Sequence, residues 1–407
     1  MPNNWKTYKL NEIAEILNSK RVPLNSRQRN ERKGNIPYYG ASGIVDYIDD
    51  YIFEGEHVLI SEDGENLRSR NTPIAFKANG KFWVNNHAHI LKGNEPFLND
   101  WIVYHFANLD LNPYVSGAVQ PKLNKQALLS IPIELPEFKE ATAIANILSA
   151  IDDKIENNLA INKTLEDMAM ALYKHWFVDF GPFQDSEFID SELGPIPKGW
   201  EVKRLGDLIE VINGYAFKSA WFQDFGEKVV KIKNISNNVV DINNCNCISA
   251  EKALEINDKF KIVPGEFLVA MTGAEVGKVG VVPDYQQPLW LNQRVGKLKD
   301  KMFLNSSILV GKILQSKEYY EVIQGLAYGS AQPNISASGI ENIEICLPKI
   351  LEDIQVLIDE FVSSQNQIIH NLTENQSLTK LRDTLLPKLI NGEVRLKEFK
   401  EQIETVL

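Results

Sequence analysis

The sequence predicts an α+β protein: two homologous modules of mixed α and β structure, each followed by a long helix, with the two helices paired. Three observations predict it. Short strings recur in the same order in both halves of the 407 residues, short apolar runs bounded by Gly, Asn and Pro read as strands, and two stretches outside the repeats carry heptad spacing.

The repeat opens with Trp5, Leu10, Glu12, Ile13, Glu15 and Ile16, matched by Trp200, Leu205, Asp207, Leu208, Glu210 and Val211. Gly55-Glu56 corresponds to Gly265-Glu266, each leading into an apolar run. Trp83, Asn85, Asn86 and His87 correspond to Trp290, Asn292, Gln293 and Arg294. Gly117-Ala-Val-Gln-Pro-Lys-Leu123 corresponds to Gly329-Ser-Ala-Gln-Pro-Asn-Ile335, and Ile133-Glu-Leu-Pro136 to Ile345-Cys-Leu-Pro348. Boundaries follow: a first module over 1–136, a helix over 137–180, a linker and second module over 181–348, and a second helix with a tail over 349–407. Two copies of one module suggest two similar ligands, and duplex DNA is the common long ligand with two similar faces.

Within the modules, His57–Ile60, Phe82–Val84 and Phe267–Ala270 are strand signals. Leu98–Asn108 and Ser306–Gln315 have helical spacing behind Asn, Asp or Ser caps. After Pro136, Ile144, Leu148, Ile151, Ile155, Asn158, Asn162, Leu165, Ala169 and Leu172 step by four and three, which is a heptad seam. Beyond Pro348 the rhythm returns at Ile354, Ile358, Phe361, Gln365, Ile368 and Leu372, and less cleanly at Leu378, Leu381 and Leu385. Asn158, Asn162 and Gln365 would weaken the seam while fixing its register and partner. A helix of about 35 residues is about 50 Å long at 1.5 Å per residue, so the coil could act as a ruler. Phe180-Gly-Pro-Phe-Gln-Asp-Ser-Glu187 and Leu193-Gly-Pro-Ile-Pro-Lys-Gly-Trp200 read as a connecting arm.

Composition bounds the function. No apolar run reaches the roughly 18 to 20 residues of a membrane span, the start lacks a signal-peptide layout, and three cysteines make no disulfide framework. A cytoplasmic chain is expected, without membrane partners. The net charge of −11 argues against a generic DNA-coating protein, because Lys and Arg supply most nonspecific affinity for phosphate. Basic groups are nevertheless clustered: Lys20, Arg21, Arg27, Arg29, Arg32 and Lys33 stand beside a lone Glu31, with Arg68 and Arg70 further on.

Catalytic motifs fall short. Asn112-Pro113-Tyr114 lacks the second Pro of the motif by which amino-methyltransferases hold adenine. Gly273-Ala-Glu-Val-Gly-Lys-Val279 is one residue short of a phosphate loop, has no Ser or Thr after its Lys, and reads as a strand turn. His87 and His89 offer half a metal site with no third ligand, and no metal is expected. Pro283-Asp284 begins like a nuclease core but no acidic-x-Lys follows. What remains are groups suited to bases and phosphates: His87, Gln120 and Lys122 in the first module, and Lys218, Lys231, Lys233, Arg294, Gln332 and Asn334 in the second. The two Gln-Pro segments could equally be turns that dock each module on its helix.

The repeated landmarks, the Leu193–Trp200 linker string and the ending Leu385-Leu-Pro-Lys-Leu-Ile-Asn-Gly-Glu-Val394 resemble the specificity subunits of type I restriction-modification systems over essentially the whole chain. The resemblance implies two target recognition domains, each reading one half of a split DNA sequence, and an antiparallel coiled coil that sets the gap. It also implies a non-catalytic subunit that binds two methyltransferase subunits using S-adenosylmethionine, and supports restriction subunits using ATP and magnesium. None of these cofactors would be bound by this chain. Two other classes fit the residues: a freestanding bipartite DNA-binding regulator, which the acidic balance disfavours, and a coiled-coil scaffold whose modules bind protein.

Overall fold

The computed structural model describes residues 5–117, 119–328, 333–394 and 396, which fall into two compact units, Met1–Lys154 with Leu378–Leu407, and Ile155–Ser377.

The first unit holds the first module. Its opening strand, Lys6–Lys9, pairs antiparallel with its closing strand, Pro132–Leu135. Between them an antiparallel sheet runs in the order Ala14–Ile16, Ala88–Gly93, His57–Ser61, Ala75–Ala78. All five residues of His57–Ser61 are buried, so both faces of this strand are covered and Val58, Leu59 and Ile60 follow one another without alternation. A second sheet is ordered Gly43–Ile48, Lys33–Gly40, Lys81–Val84, Phe53–Glu54, with its middle pair parallel. Leu59 and Ile90 from the first sheet share one core with Phe53, Phe82 and Val84 from the second. The helix Pro96–Asn108 buries Phe97, Leu98, Trp101, Ile102 and Phe106.

The second module repeats this plan inside the second unit. Trp200–Arg204 pairs antiparallel with Glu344–Pro348. The sheet begins with antiparallel Ile209–Asn213, Val295–Asp300, Phe267–Ala270 and Val279–Val281, in the same order as its counterpart, then adds Val239–Val240, parallel to Val279–Val281, and Ile235–Ser236. In the second sheet Glu227–Val230 again lies parallel to a Trp-bearing strand, Leu289–Leu291. The added strands belong to the segment that lengthens this copy.

The predicted strands and helices are present: Leu98–Asn108 lies within Pro96–Asn108, and Ser306–Gln315 is a helix over those residues. Their caps differ from expectation. The first starts on a Pro with no side-chain cap, and the second is capped by Asp300, which accepts from the backbone N–H groups of Asn305 and Ser307 at 2.9 and 2.7 Å. The connecting arm is also more ordered than its Gly and Pro content suggests. Phe188–Ser191 and Gly194–Pro197 form a hairpin, and Phe177, Phe180 and Phe183 set their rings edge-on around buried Trp200 at 5.8, 5.2 and 5.1 Å.

The two long helices, Phe138–Tyr173 and Gln355–Ile390, have 36 residues each. In the second unit Asn158 Nδ2 donates to Asn375 Oδ1 at 2.9 Å and to Glu374 Oε2 at 2.7 Å, Asn371 donates to Asn162 at 2.8 Å, and Asn375 donates to the Ile155 carbonyl at 3.2 Å. In the first unit Arg382 pairs with Asp152 at 2.9 Å. Numbers rise on one helix as they fall on the other, so the coil is antiparallel. Ile144, Leu148, Ile151, Asn158, Asn162, Ile354, Ile358, Phe361, Gln365 and Ile368 are buried as the spacing predicts, Ile155, Leu165 and Leu172 are half-buried with Leu372, and Leu381 is exposed.

Candidate nucleic-acid interface

In each module three segments distant in sequence meet at the end of the central strand, held by four hydrogen bonds that match between the copies. In the first module Glu62 N–H donates to the His87 carbonyl at 2.8 Å, Gly64 N–H to Pro121 at 3.1 Å, and Leu123 N–H to Glu62 at 2.8 Å. Their counterparts are Met271 to Arg294 at 3.0 Å, Gly273 to Pro333 at 2.9 Å, and Ile335 to Met271 at 2.9 Å. The fourth closes the turn after the Trp strand: the N–H of His87 donates to Asn85 Oδ1 at 2.8 Å, and that of Arg294 to Asn292 Oδ1 at 3.3 Å. Single antiparallel bridges, Asp63 with Lys122 and Thr272 with Asn334, complete the equivalence. Gly64 and Gly273 have φ of +109° and +80°, a region that disfavours a side chain where the strand turns.

The described parts of the Gln-Pro segments, from Pro121 and from Pro333, are held by these bonds against the end of the central strand. Each then enters a short helix through a side-chain cap, Asn124 accepting from Ala127 N–H at 2.9 Å and Ser336 from Gly339 N–H at 3.0 Å. Gln120 is exposed, and Gln332 lies outside the described residues.

The side chains carried by this shared frame differ. In the first module Glu62 is a hub: Arg21 lies 2.6 Å from it, with Lys122 at 3.4 Å and His89 at 3.6 Å. Burial pushes the Glu62 carboxyl up, but the Arg21 hydrogen bond and the neighbouring cations outweigh it, so the net shift is downward. Exposed His87 rests on Asp63 at 2.9 Å. His89 is buried between Asn18 and the Leu123 carbonyl, and burial lowers its pKa. The two histidines thus do not converge on a common ligand position. In the second module the Arg294 side chain is exposed and has no hydrogen-bond or ionic partner among the described residues; Gln293 and Asn334 are exposed beside it. The Thr272 hydroxyl is enclosed without a hydrogen-bond partner among the described residues. Gln293 N–H donates to the Tyr215 carbonyl at 2.9 Å, and Tyr215 stacks on Trp221, whose ring is covered by Lys218 at 5.7 Å. Lys231 lies 3.4 Å from the centre of the Phe222 ring and 3.2 Å from Asn246 Oδ1; burial and then Lys233 lower its pKa. Lys233 is exposed.

The basic run of the first module behaves differently from its sequence appearance. Glu31 is not its lone counter-charge: the strand Gly43–Ile48 and the turn beyond it supply Asp46, Asp49 and Asp50. Arg29 and Lys33 pair with Asp46 at 3.0 and 2.6 Å, and Arg32 pairs with Asp49 and Asp50 while covering Trp83. Lys33, the Tyr47 backbone and Arg29 hold the Asp46 pKa down at about 2. Arg27 is fully out in solvent beside Glu31, and Lys20 is exposed. Arg70 caps the helix Pro96–Asn108, donating to the Phe106, Ala107 and Leu109 carbonyls, and Arg68 donates to Gly117 at 2.7 Å. Residues that the sequence did not single out are Glu62, Asp63, Thr272 and Gln293. Gly64 and Gly273, following corresponding apolar runs, are the signal that could have found the turn.

The apparent phosphate loop is the turn between the antiparallel strands Phe267–Ala270 and Val279–Val281, with Lys278 paired to Glu275. Among the described residues no helix is long and apolar enough to cross a membrane.

The duplicated frame and the paired heptad helices define a two-module protein of α+β class. The model of the type I restriction modification DNA specificity domain matches residues 2–167 and again 197–380, and the chain belongs to that family. It is 27% identical to the type I restriction enzyme MjaIX specificity subunit of Methanocaldococcus jannaschii, over 98% of this chain and 95% of that one. The MjaVIII specificity subunit of the same organism is 24% identical with the same coverage of both chains. The fold is similar to that of the type I restriction-modification S subunit from M. genitalium, with a TM-score of 0.61 over 96% of this chain and 97% of that one, at 15% identity.

Proposed function

We propose that this specificity subunit reads a split DNA sequence, one half per module, and contributes no catalytic group of its own. The observation that carries this reading is the frame of four matched hydrogen bonds, which presents unlike side chains at equivalent positions in the two modules. A common frame suits a common duplex geometry, and unlike side chains suit unlike half-sites. The antiparallel coil sets the gap between the halves, and its outward flanks dock two methyltransferase subunits. These carry S-adenosylmethionine and receive the adenines flipped from the duplex; restriction subunits with ATP and magnesium join the same complex.

The charge distribution supports dependence on partners. With a net charge of −11 and Arg21, Arg29, Arg32 and Lys33 already paired to carboxylates, the chain alone offers little phosphate affinity. Purification with and without a co-expressed methyltransferase, followed by DNA binding at several salt concentrations, tests this. Tight binding only in the complex is expected. Tight binding by the chain alone would make it a freestanding regulator, and none in either form a protein-binding scaffold.

A further inference from the structure

The matched frame allows the two modules to be compared position by position, and three positions stand out. Asp63 corresponds to Thr272, His87 to Arg294, and Lys122 to Asn334. In the first module these groups are already engaged with protein: His87 with Asp63, and Lys122 with Glu62. In the second, among the described residues, Arg294 is exposed and without a side-chain partner, Asn334 is exposed, and the Thr272 hydroxyl is enclosed without a hydrogen-bond partner.

Resting on the two-reader function above, we propose that these positions determine specificity, Asp63, His87 and Lys122 for one half-site and Thr272, Arg294 and Asn334 for the other, and that Arg294 reads a guanine. A guanidinium meets the O6 and N7 acceptors of guanine with two parallel hydrogen bonds from a planar fork, whereas an ammonium group reaches the same acceptors as a flexible point charge without that fixed geometry. Arg294 breaks no internal ion pair on reaching DNA, whereas His87 must either keep Asp63 or exchange it. The first module therefore offers a base a preformed acid–imidazole pair, and the second an unengaged fork.

The test is modified-base sequencing of DNA from cells that carry this chain and its methyltransferase, comparing wild type with Arg294→Ala, Arg294→Lys and His87→Ala. Wild type is expected to give a split motif with methyladenine in both halves. Arg294→Ala should make one guanine position in a single half degenerate, with discrimination there reduced roughly tenfold to a hundredfold in binding to purified complex, and Arg294→Lys should fall between it and wild type. His87→Ala should relax only the other half. Complex formation and melting temperature monitor folding, and a loss of affinity in Arg294→Ala that is uniform across sequences would identify a phosphate contact and overturn the proposal. An unchanged motif in Arg294→Ala, or loosening of both halves together, also overturns it. A wild-type chain that yields no split motif sinks the two-reader function and this inference with it.

Discussion

Arg21 illustrates how one side chain can look like a DNA contact in sequence and be part of the fold. Its guanidinium meets Glu62 at 2.6 Å and the carbonyls of Ala88 and Asn86 at 2.8 and 3.2 Å, with both ionic partners largely buried. Removing Arg21 leaves the largely buried Glu62 with only the more distant Lys122 and His89, and two carbonyls without their donor, so Arg21→Ala is expected to cost about 3 kcal/mol, measured by urea denaturation. Arg27→Ala, at an exposed i,i+4 pair, should change stability by less than about 0.5 kcal/mol. His105 gives a second expectation. Burial lowers its pKa from 6.5 to about 4, and its Nε2 has no hydrogen-bond partner among the described residues. The folded state therefore resists protonation, and its stability, complete above pH 6.5, falls as pH drops from 6.5 toward 4, by an amount on the order of 3 kcal/mol for this group. His89 and His57 shift in the same direction. His105→Leu is expected to flatten the acid side of a stability-versus-pH curve, and an unaltered slope would exclude His105 as a source.

At the scale of elements, the polar layer in the coil is the informative feature. Asn158, Asn162, Asn371 and Asn375 are buried and bonded across the two helices, and neighbouring Gln365 is buried with neither amide atom partnered among the described residues. Asn371→Ala strands the Asn162 carbonyl oxygen and should cost about 1–3 kcal/mol, whereas the double change Asn162→Leu with Asn371→Leu should be neutral or stabilising. Thermal melts of the three proteins separate these outcomes. The seam itself was legible because heptad spacing is a one-dimensional signal, and Asn158 and Asn162 fell on it. Asn371 and Asn375 were missed: the second helix was traced through Leu372, which is only half-buried. The strands were legible for the same local reason. The counter-charges Asp46, Asp49 and Asp50 were not, since cross-strand pairing brings together residues some 17 apart, and sequence proximity had offered only Glu31. The reading frame was half legible: the Trp-Asn and Gln-Pro landmarks marked two of its three segments, while the turn at Glu62 and Asp63 became visible only when the backbone joined them.

For the whole molecule, the proposed function makes helix length a determinant of the DNA site. One heptad inserted in phase into both long helices adds about 10 Å at 1.5 Å per residue, close to three base pairs of duplex at 3.4 Å each. Such a variant is expected to methylate the same two half-sites with the intervening gap enlarged by about three base pairs, read by modified-base sequencing; an unchanged gap would mean that the helices do not set it. The pairing of Lys6–Lys9 with Pro132–Leu135, and of Trp200–Arg204 with Glu344–Pro348, has a separate consequence. Because the chain comes and goes through adjacent strands, everything between can be exchanged for a foreign sequence without moving either end. On the proposed function, such an exchange would replace one half of the target and leave the other as it was.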